Sequence, residues 1–117
     1  MGFSLGANIL GKYQAEEGAK SGLKAAVCVN GPMDMVNASK HLEKVWFGVF
    51  TKFLANNIKK RMMEHEDCLG LIQEKHDLDV LKQLKLSKTL KDVDHNITSK
   101  LFGFESADEY YSKTGCG

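Results

Sequence analysis

No apolar run in this sequence approaches the roughly 18 residues needed to span a bilayer, so no transmembrane segment is expected. A basic n-region followed by an apolar stretch and a cleavage site is also lacking, and with it the pattern of a secretory signal. Neither sign of charge is in excess, since 16 basic and 15 acidic residues leave a formal net charge of +1. That balance gives no reason to propose nucleic acid or an acidic surface as the main partner. Cysteine is scarce, and Cys28, Cys68 and Cys116 are odd in number and widely spaced. A disulfide framework is therefore disfavoured, and reduced thiols suggest an intracellular setting. His65 and Cys68 have the spacing of half a metal site, but no second pair completes it, so no metal or other cofactor is expected.

What is present reads as a globular chain. Its 43% hydrophobic and 26% charged residues are ordinary for one modest domain. From Leu5 to Glu17 the apolar positions Leu5, Ile9, Leu10 and Tyr13 share a face, which predicts a helix, and Gly18 is placed to cap its end. A polar turn through Ser21 and Gly22 leads into residues 23–29, a short apolar run that reads as a buried strand, with Cys28 as a small buried hydrophobe. Pro32 cannot donate to a continuing ladder, so Asn30-Gly31-Pro32 ends the strand. Beyond it the period becomes helical across residues 37–67, with Phe50, Phe53, Leu54, Ile58 and Met62 recurring. Lys59-Lys60-Arg61, followed by Glu64, Glu66 and Asp67, reads as a solvated face with local charge compensation. Further helical stretches cover residues 78–86 and run from Leu90 through Val93, Ile97 and Leu101 to a break at Gly103. Ser106-Ala107-Asp108-Glu109 has the capping-box arrangement and starts a short helix with Tyr110 and Tyr111.

The chemistry concentrates in Gly2-Phe3-Ser4-Leu5-Gly6. A G-x-S-x-G run between a strand and a helix can place serine on a sharp turn with its Oγ projecting free. Glycines two positions before and after, Gly2 and Gly6, would let the arms of the turn approach without a Cβ clash. The helix after Ser4 would aim its N-terminal dipole at the site, and the Leu5 backbone N–H would serve as one oxyanion-hole donor. The same five residues also suit a glycine-rich helix start with Ser4 as an incidental cap, and the pattern alone does not separate the two.

Four ordered segments resemble the YheT-like, embryogenesis-associated branch of the α/β-hydrolase family. The first is Gly2-Phe3-Ser4-Leu5-Gly6-Ala7-Asn8-Ile9-Leu10-Gly11-Lys12-Tyr13, similar to that branch's elbow and following helix. The second is Lys24-Ala25-Ala26-Val27-Cys28-Val29-Asn30-Gly31-Pro32-Met33-Asp34, similar to its next strand and turn. Asp92-Val93-Asp94 with Thr98 resembles its acidic segment, and residues 103–111, Gly103-Phe104 through Tyr110-Tyr111, its Gly-Phe…Tyr-Tyr signature. The resemblance implies an α/β fold: residues 1–34 as part of a doubly wound sheet (elbow, helix, one strand), and residues 35–117 as a mostly helical cap or insert. It implies a serine esterase or lipase acting on carboxylic esters of lipids through an acyl-Ser4 intermediate, with possible membrane-surface contact in the longer protein. In that family the triad acid and histidine follow the helical insert, so this chain is expected to lack both, together with the central strands before the elbow.

Residues at hand fill those roles poorly. His41, His65, His76 and His95 all fall in the helical stretch, and Asp34 matches the position that opens the insert rather than the triad acid. Asp92 and Asp94 invite a metal or paired-carboxylate reading but look more like charges that orient helices. Trp46, Phe47, Phe50, Phe53 and Leu54 could line an acyl pocket or touch lipid, although an aromatic stripe at helical spacing is more often core. A non-catalytic helical binding module and an acyltransferase using the same elbow stay open beside the hydrolase.

Overall fold

The computed structural model describes residues 1–116 and is mostly helical, with one two-stranded sheet. Strand β1 (Gly2–Phe3) leads through Ser4 into α1 (Leu5–Glu17), and β2 (Cys28–Val29) returns parallel to β1, giving a βαβ unit. The register pairs Gly2 with Cys28 and Phe3 with Val29. Helix α1 has the predicted bounds, and Gly18 caps it at φ 53 with its N–H on the Gln14 carbonyl. Positive φ there suits glycine, which has no Cβ to clash.

The chain forms two compact units, Met1–Ala38 with the C-terminal residues from Tyr111, and Ser39–Tyr110. In the first unit, β2 is shorter than the predicted strand and is not buried. Val27 and Cys28 are exposed, because the two-stranded sheet offers them no packing layer among the described residues. Helix α2 (Met35–Lys44) starts where Asp34 accepts the Asn37 N–H at 2.8 Å, an N-cap arrangement.

The second unit holds the apolar core: Ala55, Leu69, Val80, Leu84, Val93 and Ile97, with Ile58, Met62, Ile72, Leu78, Leu81 and Leu101 packed against it. These side chains come from α3 (Val49–Met63), α4 (Glu66–His76), α5 (Val80–Leu86), α6 (Leu90–Val93), a π turn (Asp94–Thr98) and α7 (Ser99–Leu101), joined by the Leu78 connection. The helical stretch predicted across residues 37–67 is broken at Val45–Gly48, where Trp46 and Phe47 take left-handed angles. Helix α4 was not legible as a separate element. The aromatic stripe is not core: Trp46, Phe47, Phe50 and Phe53 are exposed, and α3 turns Thr51 and Ala55 inward instead. Small residues let α3 approach α4 and α6 closely, and the buried Thr51 hydroxyl accepts the Leu90 N–H at 3.0 Å.

Asp92 completes a capping box with Thr89, which explains one of the two acids singled out in the sequence. Asp94 accepts from the Thr98 hydroxyl at 2.8 Å across the π turn. Past Gly103 (φ 76), helix α8 (Ala107–Thr114) begins with the Ser106 hydroxyl accepting the Glu109 N–H at 3.2 Å.

Candidate functional site

Ser4 stands at the junction of β1 and α1 with φ 50 and ψ −124, a region that non-glycine residues rarely occupy. Several contacts fix this conformation. The Ser4 N–H donates to the Val29 carbonyl at 3.0 Å, and the Gly2 N–H donates to the Val27 carbonyl at 2.9 Å. On the helix side, the N–H groups of Ala7 and Asn8 donate to the Ser4 carbonyl at 3.0 and 3.3 Å. The serine is therefore clamped from both arms of the turn, and its exposed side chain makes no capping bond to the helix.

The two flanking glycines are not equivalent. A Cβ on Gly2 would lie 2.5 Å from the Gly6 carbonyl oxygen and 2.9 Å from the Ala7 Cα, which only a backbone shift could relieve. A Cβ on Gly6 would meet nothing within 4 Å among the described residues. The close approach is thus between Gly2 and the backbone of Gly6. The Leu5 N–H lies in the first helical turn, ahead of the first groups bonded back to Ser4, and so precedes any intrahelical acceptor.

Two supports escaped the sequence reading. Asn8, 2% exposed, donates through Nδ2 to the Pro32 carbonyl at 2.9 Å, tying α1 to the turn after β2. Gly31 in that turn allows the chain to pass Ala7, since a Cβ there would sit 2.8 Å from the Ala7 Cβ. Asn30 precedes it at φ 51. An Asn one helical turn after Ser4, and an Asn-Gly-Pro run closing the strand, were the signals available.

Gly2, Ser4, Leu5 and Gly6 thus lie together. The candidate histidines are elsewhere in the sequence, because the first unit contains none and His41, His65, His76 and His95 all belong to Ser39–Tyr110. All four are exposed, and His95 accepts the Ala107 N–H at 3.5 Å through Nδ1. Asp34 is engaged as the cap of α2. Burial alone would raise the Asp92 carboxyl, but hydrogen bonds from Lys88 and Thr89, with His95 nearby, outweigh it and hold the group below its ordinary range. Burial, and secondarily Asp94, pushes the Tyr110 hydroxyl up. His65 and Cys68 are exposed, and among the described residues no group of three or more His, Cys, Asp or Glu side chains could hold a metal ion. No helix among them is long and apolar enough to cross a membrane.

Known proteins match nearly the whole chain. An abhydrolase domain-containing protein of Dictyostelium discoideum is 37% identical over 113 residues, covering 95% of this chain and 27% of its own length. A monoacylglycerol lipase of Saccharomyces cerevisiae is 32% identical over 115 residues, covering 95% and 25%. YheT of Escherichia coli is 30% identical over 115 residues, covering 95% and 32%. No family model and no solved structure matches. A strand, a strained serine and a helix in this order, with relatives of this kind along almost every residue, place the chain in the α/β-hydrolase family. The chain spans about a quarter to a third of the length of these relatives.

Proposed function

We propose that this chain carries the nucleophile of a serine ester hydrolase whose substrates are small-molecule or lipid esters. The observation that carries the reading is the Ser4 backbone, held at φ 50 and ψ −124 between β1 and α1, with no room for a Cβ on Gly2 beside the Gly6 carbonyl. Strain at a clamped serine is what an elbow needs, since it lifts Oγ clear of its own backbone. The relatives named monoacylglycerol lipase support the substrate class. In this reading residues 1–34 belong to a doubly wound sheet completed by a longer protein, and residues 35–117 form its helical insert.

The chemistry is acyl transfer. Ser4 Oγ attacks the ester carbonyl carbon and passes its proton to a histidine, which an acid orients. The Leu5 N–H and a second donor bind the oxyanion. The histidine returns the proton to the departing alcohol, and water then releases the acyl group from Ser4 by the same route. The histidine and the acid are assigned to segments outside these 117 residues, so the chain alone is inactive in this reading. An unassisted serine hydroxyl is a weak nucleophile.

Labelling with a fluorophosphonate probe tests the assignment, using this chain and a longer one carrying the later strands, each with Ser4 or Ser4→Ala. Ser4-dependent labelling of the longer chain only is expected. There, Ser4→Ala should lower ester hydrolysis by several orders of magnitude, leaving about 10³–10⁴-fold catalysis over water from binding and the oxyanion hole. Unchanged activity would remove Ser4 from the mechanism. Strong Ser4-dependent labelling of the short chain would instead place the base among its own four histidines.

A second reading has one observation in its favour: Ser39–Tyr110 holds a core of its own. A helical binding module derived from such an enzyme would keep that core and fold cooperatively without ester chemistry.

A further inference from the structure

The exposed aromatic residues of the second unit have no role in the chemistry above. Trp46 is 76% exposed and Phe47 101%. Both hold left-handed angles, φ 48 and 52, where bulky residues are strained, and Gly48 follows at φ 79. Two aromatic rings kept in strained conformations and turned into water add nothing to the helical core. At about 100° per residue, Val49, Phe53, Asn56 and Lys60 lie on the side of α3 opposite the inward row of Thr51, Ala55, Ile58 and Met62. Val49 and Phe53 are accordingly 57% and 59% exposed. The apolar ridge therefore continues from the turn along the first half of α3 and gives way to Asn56 and then Lys60.

Charge segregates in the same stretch. Residues 39–60 hold five basic side chains (Lys40, Lys44, Lys52, Lys59 and Lys60) and one acid, Glu43, in a chain whose formal net charge is only +1, while Arg61 beyond them pairs with Glu64. Lys44 and Lys52 bracket the turn, and both are exposed. Exposed Trp and Phe beside lysines suit the boundary of an anionic bilayer, where rings settle among the headgroups and ammonium groups meet phosphates. Phe47, wholly exposed, has no pocket wall against it, which fits entry into a fluid interface.

We propose that the Trp46–Phe47 turn and the Val49 and Phe53 side of α3 dock on an anionic lipid surface, with Lys44, Lys52 and Lys60 contacting headgroup phosphates. The inference stands on exposure and charge and does not depend on Ser4 being a nucleophile.

Trp46 is the one tryptophan in the sequence, so its emission reports this turn directly. The 117-residue chain is mixed with phosphatidylcholine vesicles made with or without phosphatidylserine, some carrying brominated acyl chains. With phosphatidylserine, Trp46 emission should move to the blue and be quenched by bromine, and added salt should weaken both effects. Lys44→Gln and Lys52→Gln should each lower partitioning roughly fivefold. Phe47→Ala should weaken it as well, while Leu71→Ala, at an exposed position in α4, should leave it unchanged. Equal binding to neutral vesicles, or an unaffected Lys44→Gln/Lys52→Gln double variant, would overturn the proposal. So would Trp46 emission already blue and shielded from acrylamide without lipid, which would mean that protein covers the turn. Quenching by single-stranded oligonucleotide but not by vesicles would assign the patch to nucleic acid instead.

Discussion

The two compact units are specified by different means. Around Ser4 the backbone does the specifying: positive φ at Ser4 and Asn30, Gly2 against Gly6, Gly31 against Ala7, and the Asn8 amide on Pro32. Among residues 1–38 only Ala7 and Asn8 are buried, while Leu5, Ile9, Leu23 and Val27 stay exposed. In Ser39–Tyr110 apolar side chains from successive helices converge on one core. Burial of apolar surface is the dominant favourable term in folding, and ordering a strained turn opposes it. The unit around Ser4 therefore has a tightly specified backbone but little of the burial that would hold it, whereas the helical unit carries its own. In the isolated chain, we expect slow amide exchange around Leu84 and Ile97, fast exchange at Gly2 and Ser4, and binding of an apolar dye. A single sharp melt without dye binding would erase the contrast.

The largest effect should come from truncating the core. Leu84 is 1% exposed at the centre of the helical unit, and Leu5 is 46% exposed on α1. Leu84→Ala should cost about 2–5 kcal/mol, the lost transfer energy plus the cavity. Leu5→Ala should stay within about 0.5 kcal/mol. Urea unfolding followed by far-ultraviolet circular dichroism measures both. Equal losses would show that α1 is supported as firmly as the core.

Next come the two glycines, which should respond with opposite signs. Gly2→Ala forces a shift of backbone against backbone and should destabilise the β1–α1 junction by about 1–3 kcal/mol. Gly6→Ala fills open space in a helix and should stabilise by about 0.5–1 kcal/mol through reduced chain entropy. Exchange rates of the Ser4 and Gly2 amides, bonded to the Val29 and Val27 carbonyls, read the junction directly. A stabilising Gly2→Ala would mean that the close approach to Gly6 is dispensable.

The same contrast decides what the sequence could show. Helix α1, its Gly18 cap, the stop after Val29, the break at Gly103 and the start of α8 were legible because each rests on local backbone chemistry. Ser4 was legible as a candidate through its two glycines, although their unequal roles were not, since a close approach depends on where a neighbouring segment lies. The breakdown came with tertiary context. An apolar run at residues 23–29 looked like a buried strand, but burial needs a covering layer. An aromatic stripe on α3 looked like core, but small Thr51 and Ala55 won the inward face. The turn at Trp46 and Phe47 was invisible because neither residue favours a left-handed backbone.

A smaller loss than that at Leu84 sharpens the helical side of the comparison, because it isolates a cap from the core it supports. Asp92 accepts the Lys88 and Thr89 N–H groups at 2.8 and 2.9 Å, while the Thr89 hydroxyl accepts the Asp92 N–H at 3.2 Å. Asp92→Ala removes the carboxylate half of this box and should cost about 1 kcal/mol, well below the loss at Leu84. The sign with pH follows from the lowered folded pKa. The carboxylate's contribution is fully present above the ordinary aspartate value of 3.8 and is lost as pH falls through the lower folded value. Asp92→Asn keeps the shape without the titrating charge, so its own contribution should not change across that window. Urea midpoints followed from neutrality into acid should converge for the native chain and Asp92→Asn, with the native chain losing more. Parallel decline of the two would show that Asp92 makes no charge-dependent contribution, and that the helical unit is held by its apolar core alone.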